Sequence, residues 1–130
     1  MNKRNLQIIM AVLGLIPIAT GLIGFTGIND PIYEGLIDSH FVLLDSNLRF
    51  FSGIWIGLGL AMFSIIRSIE KEKRIFRIIW ISIFIGGLGR LLSMVFTGVP
   101  PIPFVGFTVL EIVGAPFFIY WQHKIAKEEN

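Results

Sequence analysis

Apolar residues run along this chain in four long blocks, at about 6–25, 47–68, 75–97 and 103–122, and the polar residues gather between them. At the ~1.5 Å rise of a helix, about twenty residues cover the ~30 Å hydrocarbon layer of a bilayer. None of the blocks has the polar face that a helix on a water-soluble bundle carries. The pattern therefore predicts an all-α, four-transmembrane-helix bundle, one integral membrane domain over residues 1–130.

The connections carry their own signals. Asp30-Pro31 is a helix start, with an N-capping carboxylate and a proline at the first helical position. Ile32, Tyr33, Leu36 and Ile37 then alternate with Glu34, Asp38 and Ser39, which predicts a short amphipathic external helix between spans one and two. Phe41–Leu44 is too short to span and is expected to tuck against the bundle mouth, after which Asp45-Ser46-Asn47 caps the second span. Gly98-Val-Pro-Pro-Ile-Pro103 makes a stiff turn between spans three and four. Pro17 predicts a kink in the first span, and Pro116 deprives the carbonyl of Ile112 of its usual donor beside Glu111. Tyr120 and Trp121 are placed as an interfacial aromatic belt.

Composition agrees with a membrane chain: 54% of residues are hydrophobic and 15% charged, and mean hydropathy is +0.76, well above a soluble domain. Net charge is +2, but its placement argues against nucleic acid. Lys3 and Arg4 precede the first span, Arg67, Lys71, Lys73, Arg74 and Arg77 flank the second connection, and Lys124 and Lys127 follow the last span. The first connection has no Lys or Arg and carries Asp30, Glu34, Asp38 and Asp45. That asymmetry predicts both termini on the cytoplasmic side, with the basic residues against anionic lipid headgroups. The basic N-terminus and first apolar run have the look of a signal peptide, but the run is long and no Ala-x-Ala follows, so an uncleaved first helix is expected. With no cysteine, disulfides, thiol chemistry and thiolate metal sites are excluded.

Three charged residues lie inside the apolar blocks away from the basic second connection, and they carry the candidate chemistry. A guanidinium stays protonated, so Arg90 in the third span needs a carboxylate, water or a route to the interface. Glu111 is the one carboxylate deep in another block. Arg90 is seven residues before Thr97 and Glu111 seven after Phe104, so each sits ~10 Å below the same outer end, on antiparallel neighbours. Arg49 lies higher, within reach of Asp45 at i−4 or of the deeper pair. The candidate ligand-binding constellation is Asp45, Asn47, Arg49, Ser52, Arg90, Ser93 and Glu111. If Asp45 answers Arg49 and Glu111 answers Arg90, the cluster is structural. If Glu111 serves both arginines, one positive charge remains for a ligand. Gly53 and Gly57 in the second span, and Gly86 and Gly89 in the third, are candidate helix-packing positions.

Other chemistries find little support. His40 and His123 fall at opposite ends and cannot share a metal or haem. Gly86-Gly-Leu-Gly89 follows no strand and opens no soluble helix, so it is no phosphate loop. No serine lies beside a histidine backed by a carboxylate. No catalytic residue, metal or cofactor is expected.

Asn47-x-Arg49-Phe-x-x-Gly53-x-x-x-Gly57-x-Gly59, then Gly86-Gly-x-Gly-Arg90-x-x-Ser93 followed by Thr97-Gly-x-Pro100, then Glu111 resembles a family of small bacterial four-helix membrane proteins. That family is the domain of unknown function numbered four-three-four-five, and the likeness covers nearly the whole chain. It implies an inner-membrane location and no activity or cofactor, and it marks Asn47, Arg49, Gly53, Gly86, Arg90 and Glu111 as motif positions. A weaker likeness, in helix count and an Arg-bearing glycine-rich helix, is to DoxX-like membrane proteins, some linked to quinone-dependent oxidation.

Three functions are thus in play: a non-enzymatic protein binding a lipid-like or small anionic ligand, a DoxX-like quinone-associated subunit, and a structural partner acting as homo-oligomer or assembly subunit. Orientation is tested separately. Cysteines introduced at Lys73 and Glu34 are expected to label from opposite faces of the membrane, the first from the cytoplasm. Labelling of both from outside would overturn the orientation.

Overall fold

The computed structural model describes residues 2–35 and 42–128, which form helices and short turns with no strand among them. Four helices are long and apolar enough to cross a membrane: Lys3–Gly24, Val42–Ser68, Lys73–Phe96 and Ile102–Glu128. We label α1 Lys3–Gly24, α2 Val42–Ile65, α3 Lys73–Phe96, α4 Ile102–Val109 and α5 Ala115–Glu128. A single π-helical turn, Leu110–Gly114, joins α4 to α5. The predicted all-α, four-span architecture is present, and its boundaries shift by a few residues.

The largest shift is at the start of α2. Val42–Leu44 does not form a separate tuck but is the first turn of the helix, so Asp45 sits in that turn and neither it nor Asn47 is a cap. Apolar residues there prolong the helix once Asp45 has another use, described below. The predicted start at Asp30-Pro31 is found, with the Asp30 carboxylate accepting from the Ile32 N–H at 3.0 Å, but the structure there is one 3-10 turn, Pro31–Tyr33. Glu34 and Gly35 follow as a turn, and the rest of the expected amphipathic helix, Leu36 to Ser39, with Phe41, lies outside the described residues. Pro17 is accommodated within a continuous α1.

The chain divides into two compact units. One comprises residues 8–66, the greater part of α1 with α2. Here glycines let two backbones approach: a Cβ at Gly21 would lie 2.6 Å from Ile56 and 3.0 Å from the Ser52 carbonyl. One at Gly59 would lie 2.6 Å from Ile18 and 2.9 Å from the Gly14 carbonyl. Trp55 Nε1 donates to Thr20 Oγ1 at 2.9 Å across the same seam, a bond worth about 0.6 kcal/mol between apolar helices.

The other unit comprises residues 1–7 and 67–130, and α3 packs along α4, the π turn and α5. Its core is aromatic: Trp80 lies 4.7 Å from Phe118, centroid to centroid, with Phe76 and Trp121 beside them. Trp121 is therefore buried rather than interfacial, and Tyr120 alone stays exposed, with the Lys124 ammonium 5.8 Å from its ring. The α2–α3 connection is anchored in this unit by Lys3, whose Nζ is 3.1 Å from Glu70 Oε2, and by buried Gln122, which donates to the Ile69 carbonyl at 2.8 Å. Burial alone would raise the Glu70 carboxyl, but its own backbone N–H, Lys3 and Lys71 outweigh that and hold it below the usual range.

In spans two and three the packing glycines are not those the sequence pattern singles out. Gly53 makes only an ordinary contact with Phe25, and a Cβ at Gly57, Gly86 or Gly89 would meet no atom of its own unit within 4 Å. Gly21, Gly24, Gly59 and Gly87 hold the tight positions instead. Gly59→Ala is therefore expected to cost about 1–3 kcal/mol by overpacking and to lower the melting temperature in detergent, while Gly57→Ala leaves it unchanged. Equal melting temperatures for the two variants would refute this assignment.

Candidate functional site

Arg49 and Arg90 are answered in different ways. Arg49, about two turns into α2, makes four hydrogen bonds. Its Nε donates to Asp45 Oδ2 at 2.8 Å and its Nη2 to Oδ1 at 3.2 Å, while Nη1 and Nη2 reach the carbonyls of Phe25 and Thr26 at 2.9 and 3.0 Å. Those carbonyls follow the C-terminal end of α1, where a cation is favoured. The Asp45 carboxylate in turn accepts from the Ile28 N–H at 3.0 Å. Gly27 makes this closure possible: its φ is +68°, and a Cβ there would collide with the Asp45 carboxylate. The result is a clasp that ties the end of α1 to the start of α2.

Arg90 is held far more loosely. Its Nε lies 3.1 Å from Glu111 Oε2, without hydrogen-bond geometry, and Oε2 has no hydrogen-bond donor among the described residues. The guanidinium lies 5.7 Å from the Phe104 ring centroid, the one other contact it makes among the described residues. The two side chains nevertheless meet, on facing stretches of α3 and the π turn.

Two backbone features bring it there. Gly87, one turn before Arg90, allows α3 to run directly against the π turn: a Cβ there would lie 2.7 Å from the Glu111 Cβ and 3.1 Å from Ile112. The π turn is the other. Pro116 carries no N–H, so the Ile112 carbonyl has no helical partner four residues on, and the wider turn lies just before that proline. The widening at Leu110–Gly114 places Glu111 within the turn and buries it to 7% exposure.

Beside the pair opens a cleft of about 130 Å³, lined by Arg90, Ser93, Met94, Gly98, Pro100 and Phe104. Its walls are apolar apart from Arg90 and Ser93. Gly98 leaves α3 at a φ of +130°, which only glycine adopts without strain, and starts the proline turn that closes one side. The apolar residues around the turn stand wide open: Phe96 is 81% exposed, Val99 77% and Ile102 87%.

Of the seven predicted site residues, Arg90 and Ser93 line this cleft, and Glu111 pairs with Arg90 without lining it. The structure joins Asp45 and Arg49 in the clasp, where Ser52 packs its hydroxyl under Gly24. Asn47 is exposed on α2 and takes no part. Within its own unit Arg49 is held by Asp45 and the carbonyls of Phe25 and Thr26. Sequence reasoning missed Gly87, Met94, Gly98, Pro100 and Phe104. Gly87 had a signal, since i−3 from Arg90 shares its face.

A family model described as a domain of unknown function (DUF4345) matches residues 5–122. The chain belongs to that family. No curated protein and no solved structure matches it. The DUF4345 description assigns no chemistry, so the geometry alone speaks to what this member does. Among the described residues no group of three His, Asp or Glu could hold a metal. The pair can hold a charge balance, and Arg90 can offer N–H donors to a hydrogen-bond acceptor in the cleft.

The contrast between the arginines has a measurable consequence. Arg49→Met is expected to lower the melting temperature in detergent more than Arg90→Met, since it breaks four hydrogen bonds and Arg90→Met breaks none. Arg90→Met and Glu111→Gln together should be less damaging than the sum of the single changes, with a coupling of about 0.5–3 kcal/mol. Strict additivity would show that the two side chains do not interact.

Proposed function

We propose that this chain is an integral protein of a bacterial inner membrane, with both termini cytoplasmic, that binds an amphiphile at the Arg90 cleft without transforming it. The location is supported by the four apolar helices and the orientation by the Lys and Arg asymmetry of the connections. One observation carries the binding role. Arg90 is charge-compensated by Glu111, yet its Nη amines have no hydrogen-bond partner among the described residues and it lines an apolar-walled cleft. An intramembrane arginine with unused donors is a site by default.

The ligand has two properties. It carries an oxygen acceptor, phosphate, carboxylate or carbonyl, to take the free N–H groups. It is lipid-like or small, because a cleft of about 130 Å³ holds a headgroup and not a whole lipid. Tails would lie along the exposed apolar residues at the turn, Phe96, Val99 and Ile102.

Mass spectrometry of the protein purified in mild detergent tests this. An acceptor-bearing amphiphile should co-purify with the wild type and be depleted at least tenfold from Ser93→Leu, which fills the cleft without touching the ion pair. Recovery of quinone would support the DoxX-like alternative instead. Equal lipid content in both proteins would leave only the structural role.

A further inference from the structure

The resting pair is electrically neutral, and this constrains what can join it. Glu111 is 7% exposed, and Oε2 has no hydrogen-bond donor among the described residues. Its countercharge is Arg90, at 3.1 Å. The elements packed against it offer nothing else that titrates nearby. On α3 the other charged residues, Lys73, Arg74 and Arg77, lie thirteen or more positions before Arg90. α4 has none, and in α5 the titratable side chains begin at Tyr120, nine residues beyond Glu111. The Gly87 approach leaves no room for another side chain between α3 and the π turn at this level.

When a monoanion takes the free amines of Arg90, two negative charges share one positive charge in apolar surroundings. Both desolvation and like-charge repulsion oppose that state. Taking a proton onto the Glu111 carboxylate removes the excess. We infer that the site takes up an anionic ligand together with one proton, which Glu111 carries. The inference rests on the acceptor-site reading given above. Its balance is simple: the ligand oxygen accepts hydrogen bonds from the guanidinium, a proton from water forms an O–H bond on Glu111, and no other covalent bond changes. The bound state is neutral, as the empty one is. The site thereby couples occupancy to proton concentration, with affinity rising as pH falls.

The test uses the full chain in detergent and three probes: dioctanoyl phosphatidylglycerol, a monoanionic phosphodiester lipid; dimethyl phosphate, the same group without chains; and uncharged dioctanoylglycerol. Calorimetry in buffers of different ionisation enthalpy should show about one proton taken up per anion bound, with affinity falling up to about tenfold per pH unit over part of the range from about pH 5 to 8. Dioctanoylglycerol should take up none. Glu111→Gln should bind the anion with a flat pH profile. A matching pH slope for dimethyl phosphate supports the inference with a free anion as source, and binding of the lipid alone supports it with a membrane lipid. Wild-type binding that is lost in Arg90→Met but flat with pH would overturn proton uptake and leave the acceptor site standing. Anion binding untouched by Arg90→Met would overturn both. Should the variants fail to fold, the proton count in the wild type still decides.

Discussion

A guanidinium carries five N–H donors and a charge it cannot shed, and within an apolar helix both have to be answered by the protein itself. Much of the local backbone near each arginine serves that demand. Around Arg49 it draws in a carboxylate one turn back and two carbonyls beyond the end of α1, with a left-handed glycine to make room. Around Arg90 it draws α3 against a widened turn so that Glu111 can reach it. The first solution is complete and the second is not. That difference, more than the presence of charge, separates scaffold from site.

Much of this was legible in the residues and some was not. The spans follow from block length, and the depth of Arg90 and Glu111 follows from counting outward to a shared proline turn, which needs no knowledge of packing. Rotation about the helix axes is another matter. Gly57, Gly86 and Gly89 form a regular stripe, yet the close approaches fall on Gly21, Gly59 and Gly87, because which glycine faces a neighbour depends on where the bulky residues opposite can be placed. Trp121 shows the same limit: at a helix end it looks interfacial, but Phe118 stacks on it and Phe117 meets it edge-on. The start of α2 was hidden for another reason. Asp45 has the composition of a cap, but its carboxylate is needed by Arg49 and Ile28, and the helix is free to begin earlier.

The cleft was the least visible feature. Met94, Gly98, Pro100 and Phe104 look in sequence like span, hinge, turn and span, four unrelated things. They converge because a tight turn folds α4 back along α3 within one unit. Arg90 is then left at a wall instead of a helix–helix seam, and its unused donors face an opening and not another backbone.

The π turn has one more consequence. Five residues in a turn that would otherwise hold about four insert one extra position between α4 and α5, and one position is ~100° of rotation. The face that the last span presents at one end is therefore uncoupled from the face it presents at the other. α5 can lay Phe118 and Trp121 into the aromatic core while the stretch above it turns Glu111 toward Arg90. In an unbroken α-helix those two demands would share a single angular register, and any change that improved one would twist the other out of alignment. The π turn gives the chain two independently set surfaces on one span.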